Sequence, residues 1–595
     1  MSVQTTPRTR SPHQAAEDAT SRALLTCWLR EVPGWSVDQS ASGLHAVIAL
    51  PRWNAQLMVR IRRWSATFRH DLDLPVYLHV SGADARPVGL PALTVLLTDA
   101  LNDHPRGPGR PDALLTRALD SAAAVSEYLT ERDSDVDHLF SAAPLTFGES
   151  EQALLLGHLS HPTPKGRGEM SVAQRRQYAP ELGGLFPLRW LAVDTDIVRH
   201  ASAVGTPAPQ LTEQLLRDDP ATDGHALDAT LRGVGARRVL LPAHPFEADR
   251  LAADPATAAL FDDGAVVDLG PWGSPYAPTT SVRTVHRPEA PWQLKFSLHL
   301  RVTNSMRVTL PKELDRAVES ARLAGTAIGR RAAAVAPHFH LVQDPAYLTV
   351  ATAERIHDGF SVLLRENRWR PGGPRDVSAL TTLCQDHPYD GRSRLAAIVA
   401  AIAAREHRPE PDVARDWFAR FCDVVVRSLV RLYLDVGLCF EAHQQNTLVE
   451  LSDGWPVRGV YRDSQGYFHR EAAHPDLTAV IPGLGEASES IFGEKLADER
   501  LVYYLFVNLT LGVVNALGPC VDESVLLADL RRVLTAERAR GGRYPATLLD
   551  RLLDDDQWPC KANLLTRVHD MDELVGDIAT QSVYVSVPNP LRCRA

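Results

Sequence analysis

The stretch that decides the fold reads SVRTVHRPEAPWQLKFSLHLRVTNSMR and runs from residue 281 to residue 307. Between Gln293 and Thr303, apolar and polar residues alternate. The apolar positions are Leu294, Phe296, Leu298, Leu300 and Val302, and the polar positions are Lys295, Ser297, His299, Arg301 and Thr303. A period of two over this length predicts one half-buried β-strand whose apolar face packs on a core.

The polar face of this predicted strand is basic. Its cations are Lys295 and Arg301 on the strand, with Arg283, Arg287 and Arg307 beside it. Glu289 is the one acid between residues 281 and 307. Two interpretations fit this pattern: a solvated strand face, or a binding site for a polyanion such as a nucleotide phosphate or a polycarboxylate.

Length and charge limit the choice of function. A chain of 595 residues is too long for one core, so about two to four structural units are expected. The formal net charge is −10 and the pI is about 6.1, which argues against non-specific binding of nucleic acid. An anionic ligand must therefore be bound by a local basic pocket.

Cysteine usage and apolar patterning indicate a cytoplasmic protein. The seven cysteines form no C-x-x-C pair, which disfavours a thiolate zinc cluster or a disulfide framework and suits a reducing compartment. The first 14 residues lack the apolar segment of a signal peptide. No run of about 18 apolar residues is present, so we expect no membrane span.

The order of patterns along the chain predicts a multidomain α+β protein. A helical pattern at 15–32 precedes alternating segments at 45–50, 55–63 and 75–82, which predict an antiparallel sheet. Helical spacing dominates after the PGGPR loop at 371–375, namely at 393–405, 413–436, 499–517 and 523–538. The predicted units are a disordered leader at 1–14, an α+β domain at 15–185, a mixed domain at 186–372, and a mostly helical domain at 373–595.

A second unusual segment is GHLSHPTPKGRG at 157–168. Its prolines and glycines disfavour regular structure, yet it carries His158, His161, Lys165 and Arg167. The histidines could cap the preceding helix, and a zinc pair is disfavoured because no third ligand is nearby. The order of a Walker A loop is absent. Recognition of an anion by Lys165 and Arg167 is the favoured interpretation.

A third segment predicts a metal and phosphate site. The helix at 413–436 ends at Gly437, and CFEAHQQN follows, then two strands joined by an SDGWP turn, then RDSQG at 462–466. A β-hairpin therefore returns Asp463 to Asn446. A carboxylate beside an amide oxygen suits Mg²⁺ with nucleotide phosphates. The competing interpretation is a purely structural hairpin base, which would leave costly unpaired polar groups.

Protein kinases use a similar layout, in which an Asn and a later Asp hold the metal. Kinases also place a catalytic Asp ahead of that Asn, whereas this loop offers His443. The pattern therefore supports phosphate binding and gives no base for a substrate hydroxyl.

Together these segments resemble the NRPS-independent siderophore synthetases of the aerobactin-synthetase type, the IucA/IucC family. The matching pieces follow the family order over about 440 residues. They are GHLSHPTPKGRG at 157–168, LPAHPFE at 241–247, SVRT at 281–284, LKFSLHLRVTNSMR at 294–307, EAHQQNTLVEL at 441–451, YRDSQG at 461–466, PCKANLLTR at 559–567 and PNPL at 588–591.

The resemblance implies a chemistry, a fold and an assembly. A carboxylate, usually of citrate, would attack the α-phosphate of ATP to give an acyl-adenylate and pyrophosphate, with Mg²⁺ at the phosphates. An amine, hydroxylamine or alcohol would then displace AMP. The implied fold has thumb, fingers and palm parts with a kinase-like palm, and the implied assembly is a homodimer.

The resemblance also implies roles for individual residues. The implied ATP site comprises Ser281, Arg283, Thr284, Lys295, His443, Gln445, Asn446 and Asp463, with Asp463 and Asn446 as the Mg²⁺ ligands. The implied carboxylate-substrate contacts are His161, Lys165, Arg167, Thr303 and Arg307. Lys295, Arg307, His443 and Arg283 are the implied catalytic groups. His299 and Arg301 receive no role.

Two positions depart from the family pattern. Leu159 stands where the family usually has proline, and Gln465 stands where some members carry an acid, which puts a second metal-bound carboxylate in doubt. Two other functions remain open at this point. One is a small-molecule phosphotransferase with the same nucleotide site, which would form ADP, and the other is a non-catalytic nucleotide-binding relative.

Overall fold

The computed structural model describes residues 10–41, 43–101, 110–168, 170–571 and 582–592. Most of the predicted leader at 1–14 lies outside these residues. The first helix, Pro12–Glu31, begins after Ser11, whose hydroxyl accepts a hydrogen bond from the Gln14 backbone N–H. This capping arrangement satisfies donors that the first turn of a helix leaves open.

The N-terminal part contains the predicted antiparallel sheet, which has five strands and is covered by helices. The strands, in sheet order, are Ser36–Ser40, Gly43–Leu50, Ala55–Arg63, Asp71–Val80 and Arg86–Val88. The helices are Pro12–Glu31, Leu90–Ala100 and Pro111–Glu131. The apolar face of the sheet packs on these helices in one core, which also contains Leu564 and Leu565 from near the C-terminus.

An antiparallel sheet of eight strands occupies the middle of the molecule. In sheet order its strands are Val198–Ser202, Ala346–Ala351, Ile356–Glu366, Trp292–Phe296, Thr284–His286, Val266–Pro278, Phe186–Asp194 and Arg238–Ala243. The strand that carries Lys295 lies inside this sheet, between Thr284–His286 and Ile356–Glu366. This strand is covered on both faces, since Gln293 and Lys295 are buried along with Leu294.

The single strand predicted for 293–303 is wrong, because the chain divides at Ser297. Trp292–Phe296 belongs to the eight-stranded sheet, whereas Leu298–Val302 pairs with Ser305–Arg307 in a separate hairpin. The Ser297 hydroxyl accepts a hydrogen bond from the Thr309 backbone N–H at 3.0 Å, which stabilises the break. The predicted apolar face is nevertheless buried throughout. Alternation therefore identified the buried side chains correctly but could not show that two sheets share them.

The C-terminal part is mainly helical. A continuous helical stretch from Glu410 to Val436 includes two π-helical segments, Cys422–Val426 and Leu432–Val436. It ends at Gly437, whose φ of 76° is the left-handed conformation expected of a C-terminal glycine cap. The predicted hairpin follows as Thr447–Ser452 and Trp455–Tyr461, turning at Asp453 and Gly454. It lies in a four-stranded sheet with Phe339–Leu341 and Val377–Ala379.

The remaining elements connect these parts. The short strands are Leu438–Phe440, Tyr467–Arg470, Ile491–Phe492, Gln557–Lys561 and Tyr584–Pro588. The other helices are Val136–Leu139, Phe147–Gln152, Val172–Tyr178, Ala208–Arg217, Gly224–Val234, Pro245–Ala253, Pro255–Asp262, Pro311–Ala324, Ala327–Val335, Leu380–Cys384, Arg394–Glu406, His474–Thr478, Glu494–Leu501, Leu511–Leu517, Glu523–Arg540, Thr547–Asp554 and Asn563–Val568. The structure is thus a mixed α+β fold with several cores, and the domain boundaries stay a prediction.

One helical stretch, from Glu494 to Leu517, is long and apolar enough to cross a membrane. In the described part of the chain, 94% of its most apolar window is buried inside the protein. It contributes Leu505, Phe506 and Leu509 to the largest core. The stretch therefore has the burial of a core helix. The six described cysteines are likewise buried, and all six are free thiols.

Candidate active site

A cavity of about 320 Å³ opens between the eight-stranded sheet, the 157–168 loop and the loop before the hairpin. All of the predicted site residues line it: His161, Lys165, Arg167, Ser281, Arg283, Thr284, Lys295, Thr303, Arg307, His443, Gln445, Asn446 and Asp463. The structure therefore brings together three segments that are far apart in the sequence. Their individual roles are not tested by this placement and stay predictions.

Lys295 and Asp463 form the ion pair at the centre of the cavity. The Lys295 Nζ donates to Asp463 Oδ1 at 2.7 Å, and the Asn446 Nδ2 donates to Asp463 Oδ2 at 3.2 Å. Burial lowers the pKa of Lys295 to about 8. Burial alone would raise the pKa of Asp463, but the nearby Lys295 and Arg365 hold that pKa well below its usual value. Asp463 is therefore an anion whose side chain is 22% exposed toward the cavity.

Two charged groups behind this ion pair were not predicted from the sequence. Arg365 donates to both oxygens of Asp344, at 2.6 and 2.9 Å, and the Ser464 hydroxyl also donates to Asp344. Asp344 is fully buried and its Oδ2 lies 4.0 Å from the Lys295 Nζ. The four side chains Lys295, Arg365, Asp344 and Asp463 are here called the sheet tetrad. Asp344 follows no recognisable motif, so no sequence signal indicated it.

Arg283 lies beside the tetrad and is held by neutral acceptors. It donates to the Arg307 carbonyl at 3.1 Å, to the Thr309 hydroxyl at 3.2 Å and to Gln465 Oε1 at 2.6 Å. Gln465 thus positions a cation, whereas an acid there would pair with that cation. Burial lowers the pKa of Arg283, although a guanidinium stays charged at neutral pH. Its charge is available to an anion in the cavity.

The turn that carries Arg283 is fixed by local hydrogen bonds. The Ser281 Oγ accepts from the Thr284 backbone N–H at 3.1 Å, and Val282 has a φ of 65°. This conformation is uncommon for a β-branched residue and marks a tight, strained turn. The strain is located at the point where Ser281 and Thr284 line the cavity.

A buried pair, Glu151 and Arg462, ties this turn to the hairpin loop. Arg462 donates to Glu151 Oε1 at 2.7 Å and to the Gln445 carbonyl at 2.8 Å. Glu151 Oε2 accepts from the Thr280 backbone N–H at 2.9 Å. Helix Phe147–Gln152, the turn and the loop are thereby held in one geometry. Sequence reasoning missed Glu151 because nothing in a short helix signals a distant partner.

The 157–168 loop is organised around Glu181, a residue that was not predicted to matter. Lys165 Nζ donates to Glu181, and Arg167 donates to both of its oxygens at 2.9 and 3.0 Å. All three side chains are at most 3% exposed. Burial lowers the pKa of Lys165 to about 8. Burial would raise the pKa of Glu181, but Arg167 and Lys165 lower it to about 2.

These three residues are here called the loop triad. Because Lys165 and Arg167 both donate to Glu181, few of their N–H groups are available to a ligand. The loop also closes tightly on itself. A side chain at Gly157, whose φ is 89°, would come within 2.7 Å of Pro164 and 3.0 Å of Lys165. Lys165 and Arg167 line the cavity, yet their ion pairs show that they hold the loop in place. Contact between either of them and a substrate stays a prediction.

The tip of the hairpin Leu298–Val302 and Ser305–Arg307 faces the same loop. Thr303 adopts the left-handed conformation, with a φ of 58°, so the hairpin turns over the two residues Thr303 and Asn304. His161 Nε2 lies 2.9 Å from Asn304 Oδ1, and Arg307 donates to the Thr303 hydroxyl at 3.2 Å. A histidine, a hydroxyl and a guanidinium therefore meet on this side of the cavity.

His443 and Gln445 complete the wall opposite the sheet. Burial lowers the pKa of His443 to about 3, so its imidazole is neutral and can donate one hydrogen bond and accept another. Its ring lies 5.8 Å from that of Tyr504, centroid to centroid. Gln445 Nε2 donates to the Thr280 hydroxyl at 3.3 Å.

The structure also gives structural partners to the two residues that had no role. His299 contacts Glu247 twice, through its backbone N–H at 2.9 Å and its ring Nδ1 at 2.7 Å. Arg301 lies 3.6 Å from Asp570. Glu247 is the last residue of the LPAHPFE segment and is buried. It therefore anchors the hairpin strand that carries His299.

The donor set fits a magnesium ion that keeps most of its ligands from water and phosphate. Mg²⁺ in nucleotide sites is bound through one or two carboxylates plus phosphate oxygens. Asp463 and Asn446 supply one carboxylate and one amide oxygen at the cavity wall. Within the described ranges, no group of three or more His, Cys, Asp or Glu residues forms a metal-binding cluster. The described residues therefore do not indicate a metal site formed by protein side chains alone.

Two family models match separate parts of this chain. The model described as the IucA / IucC family matches residues 146–385. The model described as a ferric iron reductase FhuF-like transporter matches residues 415–576. The first range contains the turn, the sheet and the loop triad, and the second contains the hairpin with Asn446 and Asp463.

Curated relatives match almost the whole length. The chain is 39% identical to the rhizobactin siderophore biosynthesis protein RhbC of Rhizobium meliloti, over 97% of this chain and 98% of that protein. It is 32% identical to a spermidine-citrate ligase of Bacillus anthracis, with the same coverage of both. It is 28% identical to an N(2)-citryl-N(6)-acetyl-N(6)-hydroxylysine synthase of Escherichia coli, over 98% of this chain and 99% of that protein.

Solved structures share the fold. The structure of ATP-bound aerobactin synthetase IucA from Klebsiella pneumoniae matches with a TM-score of 0.87 and 28% identity. That match covers 96% of this chain and 99% of the other. The petrobactin biosynthesis protein AsbB from Bacillus anthracis matches with a TM-score of 0.77 over 98% of this chain, and at 16% identity it shows the fold alone.

Proposed function

Because this chain belongs to the IucA/IucC family of siderophore synthetases, we propose that it activates citrate with ATP and joins it to an amine, hydroxylamine or alcohol. It is an acid–amine ligase that releases AMP and pyrophosphate. The supporting relatives are named for citrate ligation to spermidine, to an N6-hydroxylysine derivative and to L-2,3-diaminopropanoate.

The observation that carries this proposal is the Lys295–Asp463 pair with Arg283 beside it, at the wall of a cavity lined by further polar groups. Citrate and ATP are both polyanions, and each needs cations fixed in place before the reaction. A solvated basic strand face, the competing interpretation, is excluded for Lys295, which is 3% exposed.

The nucleotide half of the cavity is assigned to the tetrad and its neighbours. Lys295 and Arg283 would contact the α-phosphate oxygens, while Ser281, Thr284 and Gln445 would orient the nucleotide by hydrogen bonds. Asp463 and Asn446 would hold Mg²⁺, which supplies charge neutralisation for the departing pyrophosphate. The neutral imidazole of His443 would donate a hydrogen bond to a phosphate oxygen.

The carboxylate half is assigned to the hairpin tip. His161, Thr303 and Arg307 would bind the carboxylates of citrate and direct one of them to the α-phosphorus. In that step an oxygen of the carboxylate forms a bond to phosphorus, and the bond from phosphorus to pyrophosphate breaks. The carboxylate nucleophile is already ionised, so this step needs no base. Lys165 and Arg167 hold the loop that positions His161.

We further propose the finer architecture and setting of the enzyme. The N-terminal, central and C-terminal parts would correspond to a thumb at 15–185, fingers at 186–372 and a kinase-like palm at 373–595. The protein would act in the cytoplasm as a homodimer. Six buried thiols and the citrate-ligase names of the relatives support the cytoplasmic location.

The phosphotransferase and the non-catalytic alternatives are not favoured. A phosphotransferase would need a base for a substrate hydroxyl, and the loop between Glu441 and Asn446 carries no aspartate. The relatives that match nearly the full length are named as ligases or biosynthetic proteins. A non-catalytic relative would not be expected to keep the proposed anion ligands together in one cavity.

The decisive experiment measures pyrophosphate and AMP with purified protein, Mg·ATP and a grid of acids and amines. Citrate combined with spermidine, L-2,3-diaminopropanoate or hydroxylamine should release pyrophosphate and AMP in equal amounts. Omission of the acid is the control and should abolish release. Formation of ADP across the grid would instead support a phosphotransferase. Nucleotide binding with no turnover on any pair would support the non-catalytic alternative.

A further inference from the structure

Two buried amides, Asn304 and Asn563, connect the hairpin tip to the loop at 157–168. They are 3% and 4% exposed, and both line the cavity. Asn304 Nδ2 donates to Asn563 Oδ1 at 3.1 Å, which joins residues 259 positions apart in the sequence. Buried polar side chains are normally paired, so this contact helps to fix both amides. Neither residue received a role from the sequence.

The direction of each hydrogen bond here is fixed by its donor. The Thr163 backbone N–H donates to His161 Nδ1 at 3.1 Å, so in the neutral ring the proton is on Nε2. His161 Nε2 therefore donates to Asn304 Oδ1 at 2.9 Å. Asn304 donates to Asn563, and Asn563 Nδ2 donates to the Ser160 carbonyl at 2.7 Å. These four bonds, here called the amide circuit, leave the loop at Thr163 and return to it at Ser160.

The first helix of the chain anchors one side of the amide circuit. Asn563 begins a short helix, and Glu31 Oε2 accepts from the backbone N–H groups of Leu564 and Leu565 at 2.8 and 3.1 Å. Glu31 is itself buried. The position of Asn563 is therefore set from behind. The circuit thereby gives a structural part to the PCKANLLTR segment at 559–567, for which the sequence alone indicated none.

The other side of the amide circuit holds the turn of the hairpin. Asn304 follows Thr303, whose φ of 58° is in the left-handed region. Arg307 donates to the Val302 carbonyl at 2.9 Å and to the Thr303 hydroxyl at 3.2 Å. The guanidinium is therefore bonded to the same turn that Asn304 ties to the loop. A shift of Asn304 would move Thr303 and Arg307 with it.

Neutral amides suit this position because of the ligand proposed for it. The loop triad holds its own segment with the carboxylate of Glu181, whereas a carboxylate at the hairpin tip would repel citrate. An amide supplies both a donor and an acceptor and has no net charge. The amide circuit can therefore hold the tip in place without adding negative charge beside a polyanion.

We propose that Asn304 and Asn563 are positioning residues, whose circuit sets the orientation of Thr303 and Arg307 before citrate binds. The inference rests on the proposed citrate activation and deepens it, because it concerns what holds the carboxylate contacts and not which groups make them. Contacts that are fixed in advance cost less reorganisation during the reaction. Breaking the circuit should therefore impair the use of citrate and spare that of ATP.

The kinetic test compares Asn304→Ala and Asn563→Ala in the full chain. The readout is pyrophosphate release from citrate, Mg·ATP and hydroxylamine, expressed per folded molecule. Each variant should lower kcat/KM for citrate by up to about a hundredfold, since a misplacement of about 1 Å can cost that much. The KM for ATP should stay within about threefold of the parent protein, because the groups assigned to the nucleotide are unchanged.

The double variant that combines Asn304→Ala with Asn563→Ala separates one circuit from two direct contacts. Residues of one hydrogen-bond network are energetically coupled, so a second break should cost little once the first has been made. The double variant should then lie within about threefold of the worse single variant. Two independent contacts with citrate would instead give losses that multiply.

Asn589 provides the matched control. It is also a buried amide near the C-terminus, and it donates to the Leu552 and Asp555 carbonyls at 2.9 and 2.7 Å. It lies outside the described residues that line the cavity. Asn589→Ala should lose stability and leave both KM values unchanged. Hydrogen exchange of the substrate-free proteins should be faster at 157–168 and 298–307 in the two circuit variants, and unchanged there in Asn589→Ala.

Four outcomes would overturn the proposal. An unchanged kcat/KM for citrate in both single variants would show that the circuit is not needed. Losses that multiply in the double variant would indicate direct contacts. Equal rises in both KM values, or the same loss in Asn589→Ala, would indicate general destabilisation. The proposed function would fail differently, since then the parent protein would release no pyrophosphate with citrate, while hydrogen exchange would still test the circuit.

Discussion

The loop triad and the sheet tetrad are two buried charge clusters that line the same cavity, yet they differ in what they leave open. In the triad, Glu181 accepts from both Lys165 and Arg167, and all three side chains are at most 3% exposed. In the tetrad, Asp463 is 22% exposed and pairs with Lys295 at 2.7 Å, while Asp344 and Arg365 close the pair from behind. The triad is sealed, whereas the tetrad presents the partly exposed carboxylate of Asp463, and behind it the paired Lys295, to the cavity.

This difference indicates that a buried cation marks a candidate functional site when the acid paired with it is itself exposed to the cavity. Breaking a buried ion pair leaves a charge without compensation, so such clusters contribute strongly to the stability of their surroundings. In the loop triad, this contribution stabilises the loop that carries His161. In the tetrad, the proposed function has Lys295 exchange its contact with Asp463 for a phosphate while Asp463 turns to a metal ion.

The largest expected effect comes from removing Lys295, the cation paired with the partly exposed Asp463. Lys295→Ala should lower kcat/KM for citrate-dependent pyrophosphate release by about a thousandfold, since one fixed donor at the developing charge contributes about that much. The variant should also unfold at a lower temperature, because Arg365 alone would then face both Asp344 and Asp463. Activity is measured per folded molecule, with the folded fraction taken from circular dichroism.

Lys165→Ala is the matched control, since it removes an equally buried lysine with a similarly lowered pKa. It should lose stability while keeping activity per folded molecule within about tenfold of the parent, a margin far smaller than the effect of an essential donor. A thousandfold loss in this variant would contradict the comparison and would support the predicted contact between Lys165 and the substrate.

The ion pairs of the loop triad can be disrupted by a substitution at Glu181, which pairs with both cations. Glu181→Gln leaves Lys165 and Arg167 without a counter-charge, so the free energy of unfolding should fall by about 3–5 kcal/mol. Urea denaturation with an unchanged m-value would measure this loss. The remaining folded protein should still release pyrophosphate. Wild-type stability would show that the two cations find other partners, and the triad would then not be what holds the loop.

The fold was predictable where local pattern decides it. The N-terminal sheet, the helices after residue 393, the cap at Gly437 and the hairpin at 447–461 all follow from periodicity and turn residues, and the structure confirms them. The prediction of a single strand at 293–303 is wrong because alternation indicates which side chains are buried and does not indicate which strands pair. Phe296 and Leu298 are both buried, although one pairs with Val362 and the other with Arg307.

The site was predictable from its cations and its motif residues, but not from the acids that pair with them. The predicted ATP and carboxylate-substrate residues from these three segments all line one cavity, whereas Arg287, His299 and Arg301 do not. Glu151, Glu181 and Asp344 went unnoticed because each is an ordinary acid far in sequence from its partner. Their importance comes from burial and pairing, which depend on tertiary contacts that no local pattern encodes.

A smaller effect is expected from the open carboxylate. Asp463→Asn keeps the shape of the side chain, but it removes the charge needed to hold Mg²⁺. The affinity for Mg·ATP should fall at least roughly tenfold, and thermal stability should fall as well, because the buried Lys295 loses the counter-charge of Asp463. Isothermal titration at several Mg²⁺ concentrations measures the affinity. Unchanged Mg²⁺ dependence would remove Asp463 from the metal site.

The smallest expected effect is a difference in the pH dependence of activity between variants of Lys295 and variants of Lys165. Only protonated Lys295 can stabilise the phosphate charge, and its pKa is lowered to about 8, so the charged fraction falls as pH rises through that value. The kcat/KM for ATP should therefore decrease about tenfold per pH unit above this pKa, because kcat/KM reports the groups of the free enzyme.

Lys295→Arg should abolish this alkaline limb, since a guanidinium keeps its charge. Lys165 has a similar pKa but is sealed against Glu181, so Lys165→Arg should leave the limb in place. A limb that disappears in the Lys165 variant and persists in the Lys295 variant would reverse the assignment of the open and the sealed cluster.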